Sequence, residues 1–178
     1  MNDHPRITRL SQIPFTSSVI EALRRIFFET STRKTFASAT EREEFRYRYL
    51  DLYLKNPDWV FLALAPDETI LGYLLVATQT TEEVFTLIPS LEAFRVFIKA
   101  SYPAHLHINL TESARGTNLG SRLLEEMETA LRKKNIFGVH LVTTSHARNV
   151  SFYRKNLYEP MSETQVNGVS LLMLAKLL

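Results

Sequence analysis

The sequence predicts a mixed α/β fold of the α+β kind. A central sheet of six to seven strands carries helices on both faces. Three observations predict it. "AHLHINLT" and "FGVHLVTT" read as interior strands on either side of a strong helix, a parallel unit with a right-handed crossover. "WVFLALAPDETILGYLLVAT" reads as two strands around a Pro66-Asp67 turn. "YEPMSETQVNGVSLLMLAKLL" reads as a closing hairpin on Asn167-Gly168, a strong two-residue hairpin signal.

The elements follow in order after an opening strand. A first helix is expected over about residues 18–30. Ser18 and Glu21 have capping-box spacing, and Val19, Leu23, Ile26 and Phe27 share a face. A second is expected over about 41–55. Thr40 and Glu43 repeat the spacing, with Phe45, Tyr49, Leu52 and Tyr53 as the apolar stripe. The two-strand meander comes next. Residues 80–102 read as an insertion, with a short helix from Pro89 and Ser90 through Ala100 that turns Leu91, Phe94 and Ile98 to one side. In "AHLHINLT", Leu106, Ile108 and Leu110 face one way and His105, His107 and Asn109 the other. The helix over about 118–134 repeats Leu119, Leu123, Met127 and Leu131 every fourth residue, widened by Leu124 and Ala130. "ARNVSFYRKN" is a short helix before the final hairpin.

Composition narrows the function. The chain has 178 residues, 45% of them hydrophobic, which suits a single compact domain. It has no cysteine, which excludes disulfide staples, thiol catalysis and Cys-ligated zinc. The start, "MNDHPRITRL", lacks the apolar run of a signal peptide, and no stretch of 18 apolar residues occurs. A cytoplasmic protein without a membrane partner is the expectation. The formal charge is +2, from 21 basic and 19 acidic residues, too small to imply nucleic acid. On "RLLEEMETALRKK", Glu125, Glu126 and Glu128 offset the basic end, and no aromatic-basic platform accompanies it.

"TESARGTNLGSRLLEEME" joins a strand to a helix and holds two of the five glycines. A helix N-terminus offers backbone N–H groups and the positive end of the helix dipole, a ready site for phosphate. Gly116 and Gly120 would allow close approach, Arg115 would add charge, and Ser121 could donate a hydroxyl. A Walker loop is excluded, because Gly120 precedes Ser121 and Arg122 where Lys-Ser/Thr is needed. "GTNLGS" is not the dinucleotide fingerprint either. On spacing alone, a plain tight turn and a phosphate site are equally good readings.

The wider context resembles the GNAT acetyltransferase superfamily. "RGTNLGSRLL" is similar to its acyl-CoA signature, Arg/Gln-x-x-Gly-x-Gly/Ala, at Arg115, Asn118 and Gly120. "HARNVSFYRKNLYEP" is similar to its later motif, with Phe152-Tyr153 as the aromatic pair and Leu157-Tyr158 in place of Gly-Phe. The element order also matches, and the specific motifs lie within about 105–158. The chain further resembles stand-alone bacterial GNAT proteins related to the acetyltransferase-like domain of O-GlcNAc hydrolases. It departs from the signature in three ways. Asn118 replaces a Gly, His146 stands where Asn is frequent, and the strand before the loop has no acidic residue.

The resemblance implies a GNAT acyl-CoA N-acyltransferase fold and direct acetyl transfer from acetyl-CoA to a primary amine of a small molecule or peptide, without a metal. It implies diphosphate contacts from Arg115, Gly116, Thr117, Asn118, Leu119, Gly120 and Ser121. Pantetheine would lie beside the strand at Leu110, with His146 and Asn149 nearby. Tyr153 occupies the general-acid position. The base is chosen among His105, His107 and Glu112, and His107 is preferred because an unperturbed imidazole titrates near neutrality. His105 and His107 also suit a polar sheet face, and two His without a carboxylate make a poor metal site. Arg33, Lys34 and Arg42 either favour an acidic acceptor or are solvated helix ends. A non-catalytic module that binds CoA or a protein partner is the alternative. The apolar "VSLLMLAKLL", taken as an exposed edge, suggests a possible homodimer.

Overall fold

The computed structural model describes residues 4–178. Seven strands form one mixed sheet in the order β1-β2-β3-β4-β5-β7-β6. The strands are β1 Arg6–Arg9, β2 Val60–Leu64, β3 Ile70–Ala77, β4 Ala104–Leu110, β5 Gly138–Thr144, β6 Glu159–Val166 and β7 Val169–Leu177. The helices are α1 Ser17–Thr30, α2 Ala39–Arg46, α3 Leu52–Leu54, α4 Glu82–Leu87, α5 Arg95–Ser101, α6 Leu119–Lys133 and α7 Val150–Lys155. The chain divides into two compact units. One takes the described residues through Val76 together with His107–Met127, and the other takes Ala77–Leu106 and Glu128–Leu178.

In the first unit, β1, β2 and β3 form an antiparallel meander, with Arg6 opposite Leu64 and Val60 opposite Leu75. Every residue of β2 is buried. A Cβ on Gly72 would lie 2.4 Å from Leu110 Cδ2 and 2.6 Å from the Asn109 carbonyl oxygen, so only glycine fits there. α1 buries Leu23, Ile26 and Phe27. Its cap is Thr16, whose hydroxyl accepts from the Val19 N–H, and not Ser18. α2 likewise is capped by Ser38 and not Thr40. In both places a hydroxyl two residues upstream is available, and the helix starts as early as a cap permits. The second helix does not run unbroken from 41 to 55. α2 gives way to a π-helical segment at Tyr47–Asp51 before α3.

In the second unit, the expected helix at Pro89–Ala100 is a 3-10 segment, Pro89–Phe94, continued by α5. Leu91, Phe94 and Ile98 are buried as the pattern requires. α4 precedes it and has no counterpart in the sequence reading. It is capped by the Thr81 hydroxyl, and Glu82 receives Arg95 and Lys99. β4 pairs parallel with β5 at Ala104↔Val139 and His105↔His140. The last hairpin turns at Asn167 and Gly168, with φ of 50° and 77°. "VSLLMLAKLL" is not an exposed edge: β7 pairs with β5 on one side and β6 on the other. The outer strand is the more polar β6, which leaves the apolar side chains of β7 in the interior.

Candidate active site

The loop of the first unit leaves β4 at Leu110, which is half-buried against Gly72. The Thr111 N–H and hydroxyl both donate to the Leu71 carbonyl at 2.9 Å, which ties the loop's start to the meander. A 3-10 turn at Glu112–Ala114 buries Ala114 and leaves Glu112 in solvent. The Thr117 hydroxyl donates to the Ala114 carbonyl at 2.7 Å. Gly116 and Asn118 both adopt left-handed backbone, at φ of 77° and 65°. Asn118 therefore takes the conformation that glycine favours, and asparagine is among the few other residues that tolerate it.

The Asn118 carbonyl accepts from the Arg122 N–H at 3.1 Å and opens α6. The N–H groups of Leu119, Gly120 and Ser121 then lie in the first turn, with no carbonyl four residues back inside the helix. Leu119 and Gly120 are buried, and Ser121 is half-buried. Arg115 is exposed, and among the described residues its guanidinium has no ion-pair or hydrogen-bond partner. A loop that turns twice through left-handed residues onto a helix start, with an uncommitted arginine, suits a phosphate group.

Along β4 in the same unit, His107 is half-buried. Its Nε2 lies 3.0 Å from the Tyr53 hydroxyl. The rings of Tyr53 and Tyr49 stand edge-on to the imidazole, with centroids at 5.1 and 5.6 Å. Burial first, and the Tyr49 phenol second, push the Tyr53 phenol well above the ordinary tyrosine range. Asn109 donates to the Thr30 hydroxyl at the end of α1. Sequence reasoning placed Tyr53 in the core stripe and did not connect it with His107.

The basic residues of the 31–42 stretch are committed elsewhere. Arg33 pairs with Glu41 and stacks over Phe36, Arg42 lies 3.6 Å over Phe28, and Lys34 donates to the carbonyls of Phe28 and Glu29 at the end of α1. These contacts fold the loop back on itself and support the helix-end reading.

In the second unit, Tyr153 sits on α7 and is 3% exposed. Its ring meets Phe152 and Tyr158 at 5.2 and 5.9 Å. Burial raises its phenol above the ordinary range, so the hydroxyl keeps its proton at neutral pH. Asn149 stands at the N-terminus of α7, but its side chain accepts the Thr143 hydroxyl at 3.2 Å and does not cap the helix. Asn149 and His146 are both exposed. His105 is buried and its ring stacks on His140. Burial takes the His140 pKa down to about 4, against hydrogen bonding to the Tyr102 and Ala104 backbone.

Glu128, which the sequence shows only as offsetting the basic end of the helix, turns inward. It is 5% exposed, held by Lys176 at 2.8 Å and by the Tyr158 hydroxyl at 3.3 Å. Its place one turn after the buried Leu124 is the signal that marks the inward side. Among the described residues, no three His, Asp or Glu side chains group as a metal site, and no helix is long and apolar enough to cross a membrane.

Comparison with known proteins identifies the family. A family model described as "Acetyltransferase (GNAT) family" matches residues 18–157. Among solved structures, SsHAT superposes with a TM-score of 0.74 at 22% identity, covering 97% of this chain and 98% of its own. The ribosomal-protein-alanine N-acetyltransferase from Brucella melitensis superposes with a TM-score of 0.61 at 17% identity, covering 97% and 99%. The NatC complex bound to Gag peptide and CoA gives a TM-score of 0.68 at 9% identity, covering 98% and 99%. At these identities the structural likeness speaks to the fold.

Proposed function

The chain belongs to the GNAT family of acetyltransferases, and on that premise we propose that it moves an acetyl group from acetyl-CoA directly to a primary amine of a small molecule or peptide. The observation that carries this reading is the 115–121 loop. Gly116 and Asn118 take the left-handed conformations that turn the chain onto the start of α6, beside Arg115, whose guanidinium has no partner among the described residues. A solved structure of the same fold holds CoA, which supports the ligand class.

In this reading Arg115 and the first-turn N–H groups hold the diphosphate. The backbone of His107–Leu110 bonds the amides of the pantetheine arm, whose polar groups need partners once buried. The acceptor arrives as an ammonium and must lose a proton before it can attack. His107 takes that proton. The amine nitrogen then bonds to the thioester carbonyl carbon, its second N–H proton passes to solvent, and the carbon–sulfur bond breaks. The Tyr153 hydroxyl hydrogen-bonds the departing thiolate and supplies its proton, and solvent restores Tyr153 as His107 releases the proton it took. The balance is one ammonium and one thioester in, and one amide, one thiol and one proton out. His146 and Asn149 flank the bound CoA in this scheme.

Calorimetric titration with acetyl-CoA, and with CoA as control, tests the loop. We expect micromolar binding that Arg115→Ala combined with Gly120→Trp abolishes. A panel of alkylamines and tripeptides, followed by thiol release, then tests transfer. Tight binding without thiol release across the panel would favour a CoA-holding module without chemistry. No binding of either ligand would overturn the donor assignment.

A further inference from the structure

Tyr53 contacts His107 but has no role in the family scheme. It stands on α3, directly after the π-helical segment, and is 4% exposed. Its hydroxyl lies 3.0 Å from His107 Nε2, a separation for a good hydrogen bond. Tyr49, from within the π-helical segment, adds a second edge-on ring. π-segments recur where a side chain must be redirected toward a site. We propose that Tyr53 is a positioning residue: it holds the His107 ring through Nε2 and stabilises the ring once it has taken the acceptor's proton. This rests on the reading of His107 as the base.

The chemistry follows from the two partners. Imidazolium carries protons on both ring nitrogens, so Nε2–H donates to the Tyr53 oxygen as soon as His107 is charged. A hydrogen bond to the charged form favours that form. The proton exchanged with the acceptor then travels through Nδ1: the ammonium N–H bond breaks and an Nδ1–H bond forms, with Nε2–H unchanged. The buried Tyr53 phenol stays protonated and adds no charge of its own. Tyr49 and Tyr53 contact the ring from the helical side. On its own strand the nearest titratable group is His105, whose ring stacks on His140. No carboxylate is needed for His107 to act as a base, which matches a strand without an acidic residue.

Tyr53→Phe removes the hydroxyl and keeps the ring. Long-range proton–nitrogen NMR of the ring nitrogens, followed through a pH titration, reads the result. The expected outcome is a His107 pKa lower by about one pH unit in Tyr53→Phe, with loss of the preference for Nε2–H. Tyr49→Phe, which retains the other edge-on ring, leaves the titration in place and controls for packing. Thiol release with the best amine of the panel should show its acid limb displaced by the same amount, and Tyr53→Phe should add nothing in a His107→Ala background. An unchanged His107 titration in Tyr53→Phe overturns the proposal. A displaced titration with an undisplaced acid limb also overturns it, because His107 is then held by Tyr53 but is not the base. Failure of the acetyl-transfer reading shows itself separately, as no thiol release in the wild type.

Discussion

Leu157 holds a φ of 66°, a left-handed conformation that costs an ordinary L residue about 1–2 kcal/mol. It does so to close α7. The Tyr158 N–H donates to the Tyr153 carbonyl and the Leu157 N–H to the Arg154 carbonyl, both at 3.0 Å. α6 ends in the same cap, with Asn135 at φ 57° and Ile136 bonded back to Leu131. Asn118, Asn135 and Leu157 thus hold left-handed positions at the ends of α6 and α7, where glycine is the commonest choice. The asparagines suit the conformation, and the leucine does not. Leu157 is 67% exposed, so its side chain contributes little packing in return. Leu157→Gly is expected to raise the unfolding free energy by about 1 kcal/mol, net of the flexibility that glycine adds to the unfolded chain. Urea denaturation measures it, and an unchanged or lower midpoint would show that the Leu157 side chain carries stability its exposure conceals.

At the scale of elements, α5 and β5 meet at a tight backbone junction. A Cβ on Gly138 would lie 1.7 Å from the Ser101 carbonyl oxygen and 2.8 Å from its carbon. Both partners are backbone, so the clash is relieved only by moving the end of α5 or the start of β5. Gly138→Ala should therefore cost at least about 3 kcal/mol. Wild-type stability in the same denaturation experiment would mean that the α5 terminus yields freely. Neither this junction nor several other features could be read from sequence, for definite reasons. α1, α6 and the strands were legible because each repeats its apolar residues over enough turns or alternations to fix a period. α4 has six residues and buries only Val84 and Phe85, too few to show one. The π-helical segment leaves the stripe of Phe45, Tyr49 and Tyr53 unaltered in sequence, since an inserted residue changes geometry and not composition. The place of β7 inside the sheet depends on strand order, which local alternation does not encode. The 115–121 loop was legible because its glycines stand between an alternating strand and a periodic helix, where Arg115, Asn118 and Gly120 resemble the acyl-CoA signature. The Tyr53–His107 contact was not, because the two residues are 54 positions apart.

At the scale of the molecule, buried tyrosines set the alkaline limit of the fold. Tyr53, Tyr73, Tyr153 and Tyr158 are buried, and burial is the first cause that raises each phenol above the ordinary value of 10.0. Tyr158 is raised further by the Glu128 carboxylate beside it. The sign follows from linkage. Below pH 10 these phenols are neutral in both states and do not affect the pH dependence. Above it the unfolded chain loses up to four protons that the folded chain keeps, so stability falls by as much as about 5 kcal/mol per pH unit. Against a typical total of about 5–15 kcal/mol, unfolding should be complete within roughly two pH units above 10. His140 limits the other side: its pKa of about 4 in the fold against 6.5 unfolded removes stability as pH falls between those values, up to about 3 kcal/mol. The measurement is the urea midpoint across pH, together with tyrosinate absorbance and circular dichroism. We expect a plateau between about pH 7 and 9.5, with the last four tyrosines ionising only as the dichroism is lost. Ionisation of all the tyrosines in a chain that keeps its native dichroism at pH 11 would refute the assignment, because it would mean that water reaches phenols the fold is held to exclude.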